Sequence, residues 1–433
     1  MKLTALLCAA SVALAQQQPP PEYGHGVPAS CSTIPDDLAL VNRTYVLPDP
    51  FRLLNGKRVK TIADWHCRAA QIRELFQVQH QPPSTPRTLP FQLTDNNSQK
   101  YELGYKPARP PILRSSYNGS VLEIQAGLSE TQTINFSVPI KQPITPPTDT
   151  SQAAAAVIAY GGASVPIPSN IATITLDVGV IAQQNSPASR NIGLFYDLYG
   201  TSPNGNSTAG ALMAWAWATS RIIDALEQHP GIGIDPTRLA VTGCSRNGKG
   251  ALVAGAFDTR IALTIPQESG SGGDACWRTS RDMLVNQGLL TQTAQEIVGE
   301  NVWFAESFDY FGRDNYTVGL LPVDHHELAG LVAPRGLYST SNLDFLWLGG
   351  FSCWECMSAA RRIYEALGVK SNHGFSQDGG HNHCTFPDDQ RPEIQAFYDR
   401  FLLGRDVATD VFRTEGNFTF DPKWVRWSTP KLS

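Results

Sequence analysis

Apolar residues recur along this chain with two different periods. Between residues 61 and 76 they return every three or four positions, which predicts a helix. From residue 153 onward, short apolar runs alternate with longer apolar segments, a pattern typical of buried strands separated by helices. The predicted strands are 153–159, 171–180, 239–242 and 261–265, and the predicted helices are 208–226, 248–256 and 357–367, the last with Arg361 and Arg362 on its polar side.

The order of these elements predicts the fold class. Strands that alternate with helices imply a mainly parallel sheet covered by helices on both faces. Before them, residues 91–140 show short strand patterns, which follow a proline-rich break at residues 81–90. We therefore predict an α/β protein, a three-layer α/β/α sandwich with a mainly parallel central sheet and extra N-terminal strands. Because no internal linker is evident, residues 31–433 are predicted to form a single domain.

The first fifteen residues predict a secretory signal peptide. Lys2 supplies a positive charge, residues 3–14 are mostly apolar, and the segment ends in Ala-Leu-Ala, a small-x-small cleavage site. The alternative is an uncleaved membrane anchor, which would need about 20 apolar residues. A Gln- and Pro-rich leader follows at residues 16–30. We expect a secreted, extracellular protein with no membrane partner.

The composition excludes further partner classes. With 34 Lys and Arg against 39 Asp and Glu, the formal net charge is −5, so the chain lacks the basic surplus of nucleic-acid-binding proteins. Hydrophobic residues make up 42% of the chain, which is enough for a large core and is unlike a disordered chain. We expect a monomer with no nucleic-acid partner.

Secretion changes the interpretation of the cysteines. The chain has eight, and Cys8 lies in the signal peptide, so seven remain in an oxidising compartment. An odd number predicts three disulfides and one free thiol. Asn-x-Ser/Thr triplets are candidate glycosylation sites in such a chain. They occur at Asn42, Asn96, Asn118, Asn135, Asn206, Asn315 and Asn417.

The most informative segment is 239–256, LAVTGCSRNGKGALVAGA. An apolar strand leads into Ser245 and a helix of small residues follows at once, which is the layout of a nucleophile elbow. Gly243 stands two positions before the serine, as that turn requires. The usual second glycine is replaced by Asn247, with Gly248 one position later. The alternative is an ordinary strand-to-helix turn with a capping serine.

The chain resembles the glucuronoyl esterases, a carbohydrate esterase family of secreted wood-degrading fungi. The resemblance implies an α/β-hydrolase fold, no metal and no cofactor. It also implies a serine esterase that cleaves esters between 4-O-methyl-D-glucuronic acid of glucuronoxylan and lignin alcohols, through an acyl-enzyme. The segments that carry it are GCSRNGKG, IPQESGSGG, VGENVWF, LPVDHHELAGLVAPRGL, FSCWECMSAARRIYEALG and GGHNHCTFP.

Two other functions stay open at this point. One is another α/β-hydrolase carbohydrate esterase, specific for acetyl or feruloyl esters, which a small acyl pocket would favour. The other is a catalytically silent carbohydrate-binding protein that uses an aromatic platform. An intact set of nucleophile, base and acid argues against the second alternative.

A catalytic serine needs a histidine base and a carboxylate that orients the histidine. Glu268 follows the predicted strand after the nucleophile. Since the carboxyl ends of parallel strands share one edge of a sheet, Glu268 and Ser245 can converge there, and the resemblance implies the same acid. Asp344 and Asp378 are the alternative acids.

Two histidines compete for the role of base. His381 and His383 lie on a glycine-rich loop late in the chain, where hydrolases with this order of residues keep their base. The resemblance favours His383, because the family's histidine directly precedes a cysteine, here Cys384. A zinc site built on these residues is disfavoured, since a structural site needs four ligands and thiols in a secreted chain tend to pair.

The resemblance implies roles for further residues. Arg246 would stabilise the oxyanion through its backbone N–H and its guanidinium, which stays charged. The substrate-binding residues would be Lys249, Gln292, Glu300 and Trp347, with Gln287, Glu296 and Trp303 as neighbouring alternatives and a core position as the alternative for Trp347. The implied disulfides are Cys31–Cys67, Cys244–Cys384 and Cys276–Cys356, which leaves Cys353 as the free thiol.

Overall fold

One mixed sheet runs through the protein. The computed structural model describes residue 31 and residues 44–77, 102–145, 153–200 and 209–433, so the predicted signal peptide and leader lie outside the described residues. The described strands are β1 Ile112–Tyr117, β2 Val121–Ser129, β3 Gln132–Lys141, β4 Ala154–Tyr160, β5 Ala172–Leu176, β6 Ile234–Cys244, β7 Ile261–Gln267, β8 Gly336–Asn342, β9 His373–Asp378 and β10 Phe412–Thr414.

Helices connect most of these strands. They are α1 Ile62–Phe76, α2 Val178–Ile181, α3 Leu194–Tyr199, α4 Ala211–Gln228, α5 Arg246–Phe257, α6 Trp277–Gln287, α7 Ala294–Glu300, α8 Asp309–Gly312, α9 His325–Gly330, α10 Gly350–Ala366 and α11 Arg391–Phe401. The first begins with a capping box, in which Thr61 accepts from the backbone N–H of Asp64 while the Asp64 carboxylate accepts from that of Thr61.

The strand order confirms the predicted α/β class. Within the described residues the order is β1-β2-β3-β5-β4-β6-β7-β8-β9-β10. The strands from β5 to β10 pair in parallel, while β1, β2 and β3 form an antiparallel extension that joins at β5. The extension corresponds to the predicted N-terminal strands.

Both faces of the parallel strands are buried. Along β4, Ala156 and Ile158 belong to the large apolar cluster that includes α4 and α5, whereas Ala155 and Val157 belong to the cluster that includes α11. Successive side chains of a strand point to opposite faces, so β4 is an apolar run that supports a helix layer on each side. This three-layer packing brings the carboxyl ends of β6, β7 and β9 to one edge.

Three local predictions are wrong. The predicted strand 171–180 ends at Leu176, because the Asp177 side chain accepts from Gly179 N at 3.0 Å and starts α2. The last predicted helix begins at Gly350, seven residues before the predicted start at 357. On that helix Arg361 is buried, and its guanidinium donates to the carbonyl oxygen of His373 at 2.7 Å.

The apolar pattern does not predict β8 and β9. Their sequences, GLYSTSN and HGFSQD, are largely polar, yet every residue in both strands is buried. Several of these polar side chains bond inside the protein: Ser339 Oγ donates to Asp274 at 2.9 Å, and Gln377 Nε2 donates to Gly350 O at 2.9 Å. Buried polar groups need such partners. Hydrophobic periodicity does not indicate which polar side chains will find them.

The structure contains the three disulfides that the resemblance implies. Their Cα–Cα separations are 5.4 Å for Cys31–Cys67, 5.7 Å for Cys244–Cys384 and 5.2 Å for Cys276–Cys356. Cys353 is a free, buried thiol. Across the described ranges, no helix has both the length and the apolar character needed to cross a bilayer.

Four of the seven candidate glycosylation sites lie in the described residues. Asn118, Asn135 and Asn417 are exposed, and Asn315 is half-buried. The first three can therefore carry a glycan without unfolding the chain. Asn42, Asn96 and Asn206 lie outside the described residues.

Candidate active site

Ser245 sits on a sharp turn between β6 and α5. Its backbone has φ +58° and ψ −124°, a conformation that side-chain-bearing residues rarely adopt. A Cβ on Gly243 would lie 2.6 Å from the backbone carbonyl of Asn247, and a Cβ on Gly248 would lie 2.7 Å from the carbonyl oxygen of Gln267. The second glycine of the motif stands one position later than usual, at Gly248, and it still allows α5 to approach β7 closely.

Glu268 and His383 form a direct hydrogen bond. His383 Nδ1 lies 2.6 Å from Glu268 Oε2, which also accepts from the backbone N–H of Cys384 at 3.1 Å. The carboxylate is buried, and the histidine is partly exposed. With Nδ1 bound to the acid, Nε2 remains as the nitrogen that can take the proton of Ser245.

One backbone hydrogen bond and one disulfide hold Ser245, Glu268 and His383 together. Ser245 N donates to Gln267 O at 2.9 Å, which ties the nucleophile to the end of β7, directly before Glu268. The Cys244–Cys384 disulfide joins the residue before the nucleophile to the residue after His383. The structure therefore brings Ser245, Glu268 and His383 to the same edge of the sheet.

His381 and the two alternative acids occupy other positions. His381 Nδ1 lies 3.2 Å from Asn342 Nδ2 and 3.8 Å from Glu268 Oε1, and its Nε2 lies 3.5 Å from Asp378. Asp378 accepts from Gln390 at 2.6 Å, and Asp344 accepts from the backbone of Gly380 at 2.7 Å. These contacts support the glycine-rich loop.

The residues around His383 do not suit a zinc ion. Ligand atoms of Cys244, His383 and Cys384 lie within 4.8 Å of one another. Both sulfurs are joined in a disulfide, so neither can act as the thiolate that zinc binds. Their proximity reflects the bridge.

Lys249 is buried one helical turn after Ser245. It is 3% exposed, and its Nζ donates to the carbonyl oxygen of Ser269 and lies 5.4 Å from the centre of the Trp303 ring. Burial lowers the pKa of Lys249 to about 8, although the nearby Asp274 and Glu300 carboxylates act to raise it. The ammonium is therefore a charged donor at neutral pH.

Gln292 connects the other predicted sugar-binding residues to one another. Gln292 Nε2 donates to Glu300 Oε2 at 2.7 Å, and Gln292 N donates to the carbonyl oxygen of Trp347 at 3.0 Å. Trp347 is 43% exposed and its ring centre lies 5.7 Å from that of His383, so the core position considered for it is wrong. The exposed indole instead borders the reacting group.

The neighbouring alternatives have different surroundings. Gln287 donates to Asp282 at 2.9 Å on α6, and Glu296 is exposed in the first turn of α7. Trp303 is 4% exposed and contacts Lys249 with its ring face. Trp303 is thus buried beside Lys249, whereas Trp347 is open to solvent.

Arg246 and two residues that the sequence analysis missed complete the site. The Arg246 guanidinium is exposed and donates to Gln184 Oε1 at 3.2 Å. Close enough to Lys249 to interact with its charge, the buried Asp274 carboxylate accepts from the hydroxyls of Ser269 and Ser339, each at 2.9 Å, and burial raises its pKa. Neither Gln184 nor Asp274 stands in a recognisable motif, although Asp274 directly follows the segment IPQESGSGG.

Comparison with known sequences places these observations in context. A sequence model of fungal glucuronyl esterases matches residues 127–368. The chain is 45% identical over 416 residues to a 4-O-methyl-glucuronoyl methylesterase of Cerrena unicolor, across 94% of this chain and 81% of that protein. It is 44% identical over 405 residues to a protein of the same name from Hypocrea jecorina, across 94% and 80%.

Solved structures give the same result. The catalytic domain of the Hypocrea jecorina glucuronoyl esterase superposes with a TM-score of 0.81 at 43% identity, covering 92% of this chain and 100% of that one. A serine-to-alanine mutant of the Sporotrichum thermophile glucuronoyl esterase, in complex with methyl 4-O-methyl-β-D-glucopyranuronate, also has a TM-score of 0.81, at 39% identity, with coverages of 93% and 100%.

Proposed function

The chain belongs to the fungal glucuronoyl esterase family, and from this premise we propose that it hydrolyses esters between 4-O-methyl-D-glucuronic acid of glucuronoxylan and lignin alcohols. It is a carboxylic ester hydrolase that uses a serine nucleophile. The observation that carries the proposal is the hydrogen bond between His383 and Glu268, beside the elbow that presents Ser245.

The residues support a two-step reaction. Ser245 Oγ attacks the ester carbonyl and passes its proton to His383, whose cation Glu268 stabilises. The backbone N–H and guanidinium of Arg246 stabilise the negative charge on the carbonyl oxygen. The C–O bond to the alcohol then breaks, and His383 protonates the leaving oxygen. Water then loses a proton to His383 and attacks the acyl carbon. The bond between that carbon and Ser245 Oγ breaks, His383 returns the proton to Oγ, and the uronic acid leaves.

We propose that the groups around Lys249 and Trp347 form the pocket that recognises the uronate. Lys249, Gln292 and Glu300 offer one charged donor, one amide and one carboxylate, which suit the hydroxyls of a sugar ring. The exposed Trp347 offers a flat apolar surface for the ring face. The methyl uronate bound to the Sporotrichum thermophile relative belongs to the same chemical class.

We also propose that the enzyme is secreted and that residues 31–433 form one catalytic esterase domain. The predicted signal peptide, the three disulfides and the exposed Asn-x-Ser/Thr sites support secretion. The single sheet, which the described strands share from β1 to β10, supports one domain.

Side-by-side assays test the function. Purified protein is given benzyl glucuronate, its 4-O-methyl derivative, a feruloyl ester and an aryl acetate, with Ser245→Ala as the blank. We expect the two uronate esters to have the highest kcat/KM, because the acetate and the feruloyl group offer no sugar hydroxyls to the pocket. A preference for the acetate or the feruloyl ester would contradict the proposal.

A further inference from the structure

We propose that Gln184 is a positioning residue that holds the Arg246 guanidinium in place for the oxyanion. The inference rests on the proposed function, in which Arg246 stabilises the charge that develops on the ester oxygen. Gln184 follows α2, in a segment far from the nucleophile elbow in sequence, and it touches no reacting atom in the proposed mechanism. Its effect on the reaction would pass through Arg246.

Gln184 is itself held from three sides. Its Oε1 accepts from Arg246 Nη1 at 3.2 Å and from Trp303 Nε1 at 2.8 Å, and its backbone carbonyl accepts from Asn301 Nδ2 at 2.7 Å. Among the described residues, the Arg246 guanidinium has no other hydrogen-bond or ion-pair partner. An exposed, flexible side chain thus depends on one well-anchored acceptor.

The chemistry of the two donors fixes the orientation of the amide. A guanidinium and an indole N–H can only donate, so the oxygen of Gln184, and not its NH₂ group, must face both of them. The Trp303 bond therefore prevents the amide from flipping and presenting donors to Arg246. Trp303→Phe would remove this constraint while keeping an aromatic ring.

A neutral acceptor suits an oxyanion-stabilising arginine better than a carboxylate does. A carboxylate would also order the guanidinium, but its negative charge would oppose the negative charge that develops on the substrate oxygen. The amide oxygen orders Arg246 and leaves its full positive charge available. Ordering the side chain before the reaction also removes an entropy cost from the transition state.

Trp303 links this arrangement to the sugar pocket. Its indole N–H binds Gln184, and its ring face lies 5.4 Å from Lys249 Nζ. One tryptophan therefore contacts both the support of the oxyanion arginine and the lysine proposed to bind the sugar. Loss of the Gln184 acceptor should disturb the oxyanion side while the lysine contact stays.

A double-mutant cycle tests the proposal. Gln184→Met keeps the length of the side chain and removes the acceptor. We expect kcat to fall about ten-fold on benzyl glucuronate and on an aryl acetate alike, less than the roughly 10²–10³-fold loss of an oxyanion donor itself. KM should stay within about two-fold of wild type, because the oxyanion forms only in the transition state.

The second half of the cycle uses Arg246→Met. In this background Gln184→Met should cause no further loss, since a residue that acts through Arg246 has nothing left to position. Gln183→Met is the matched control, because Gln183 is the adjacent glutamine and its backbone N–H bonds to Ile192 O at 2.8 Å. It should keep wild-type kcat. Trp303→Phe should lower kcat in the same coupled way if Gln184→Met proves unstable.

Three outcomes would overturn the positioning role. They are additive losses in the cycle, a change in KM without a change in kcat, and wild-type kcat for Arg246→Met. The proposed function is judged separately, by the activity of the wild-type enzyme on benzyl glucuronate. If that activity is absent, the cycle measured with the aryl acetate still decides the role of Gln184.

Discussion

The 2.6 Å bond between Glu268 and His383 Nδ1 sets which ring nitrogen remains for chemistry, and it separates His383 from its neighbour His381. We expect Ser245→Ala and His383→Ala each to lower kcat by on the order of 10⁴- to 10⁶-fold, and Glu268→Ala by less, since these residues act as a unit. Steady-state kinetics on benzyl glucuronate measure the losses.

His381→Ala is the matched control for this series. Its ring bonds to Asn342 and approaches Asp378, so its loss should affect the loop and leave most of the activity. If His381→Ala is inactive while His383→Ala is active, the two histidines have been assigned the wrong way round.

Lys249 leads to a prediction about pH. Burial lowers its pKa to about 8, and the groups that face it are the Asp274 and Glu300 carboxylates, the Arg246 guanidinium and the Cys353 thiol. As the pH rises through 8, the ammonium loses its proton and its charged hydrogen bonds to the sugar. KM for a uronate ester should then rise roughly ten-fold, which corresponds to the loss of one charged hydrogen bond.

The control substrate for Lys249 is an aryl acetate, which has no sugar hydroxyls. Its KM should not follow the same titration. In Lys249→Met, KM for the uronate ester should be high at every pH and the step near pH 8 should disappear. A step that persists in this variant would assign the titration to another group.

The proposed reacting residues are easier to predict from the sequence than the residues that contact them. Ser245 and Glu268 each follow a predicted strand. His383 lies on a glycine-rich segment, where the family resemblance, and not the local pattern, separates it from His381. Gln184 and Asp274 contact partners distant in sequence, such as Arg246 and Ser339, which only the folded chain brings close. No local pattern marks a residue of that kind.

At the scale of elements, three residues of the proposed active site have unusual backbone conformations. Ser245, Glu268 and Cys384 have φ angles of +58°, +45° and +65°, although none is glycine. Each follows directly the end of a strand or the proposed base, where the chain must turn sharply. Conformations of this kind persist only where the surrounding structure enforces them, and they cluster at functional sites.

The apolar pattern predicts the elements that form the core but not those that line the site. The strand before Ser245 and the helix after it are apolar and are predicted, whereas β8 and β9 are buried but largely polar and are not predicted. The missed strands carry Ser339, which bonds to Asp274, and Asn342, which bonds to His381. Polar strands next to a reacting group are therefore the elements that hydrophobic periodicity fails to find.

Close packing of α5 on β7 leads to a further prediction. A Cβ at Gly248 would lie 2.7 Å from the backbone oxygen of Gln267, the same oxygen that accepts from Ser245 N. Gly248→Ala must therefore move the helix or the strand. We expect a loss of about 1–3 kcal/mol in the free energy of unfolding, as for other overpacked sites, together with a lower kcat.

Gly231→Ala provides the comparison for Gly248→Ala. A Cβ at Gly231 meets nothing within 4 Å, and this glycine lies before β6, at the end of the strand opposite Ser245. Urea unfolding and kcat should both stay close to wild type in this variant. Equal effects of the two substitutions would mean that the approach of α5 to Gln267 is not limiting.

At the scale of the whole molecule, the Cys244–Cys384 disulfide connects the end of β6 to the loop after β9 across 140 residues of sequence. In the chain-entropy model such a closure contributes about 5 kcal/mol. The Cys31–Cys67 bridge, with a separation of 36 residues, contributes about 4 kcal/mol in the same model. The two bridges should therefore affect the free energy of unfolding to a similar extent.

Their effects on catalysis should differ strongly. One bridge holds the loop of His383 against the strand of Ser245, while the other joins Cys31 to α1. Replacing Cys244 and Cys384 together by alanine should lower kcat at least ten-fold at temperatures where the variant stays folded, because a small displacement of a catalytic group already costs about 10²-fold. Replacing Cys31 and Cys67 together should lower stability and leave kcat near wild type. Thermal unfolding and kcat, measured on both variants, separate the two contributions. Equal losses of kcat would show that the bridge beside the nucleophile stabilises the fold without positioning the base.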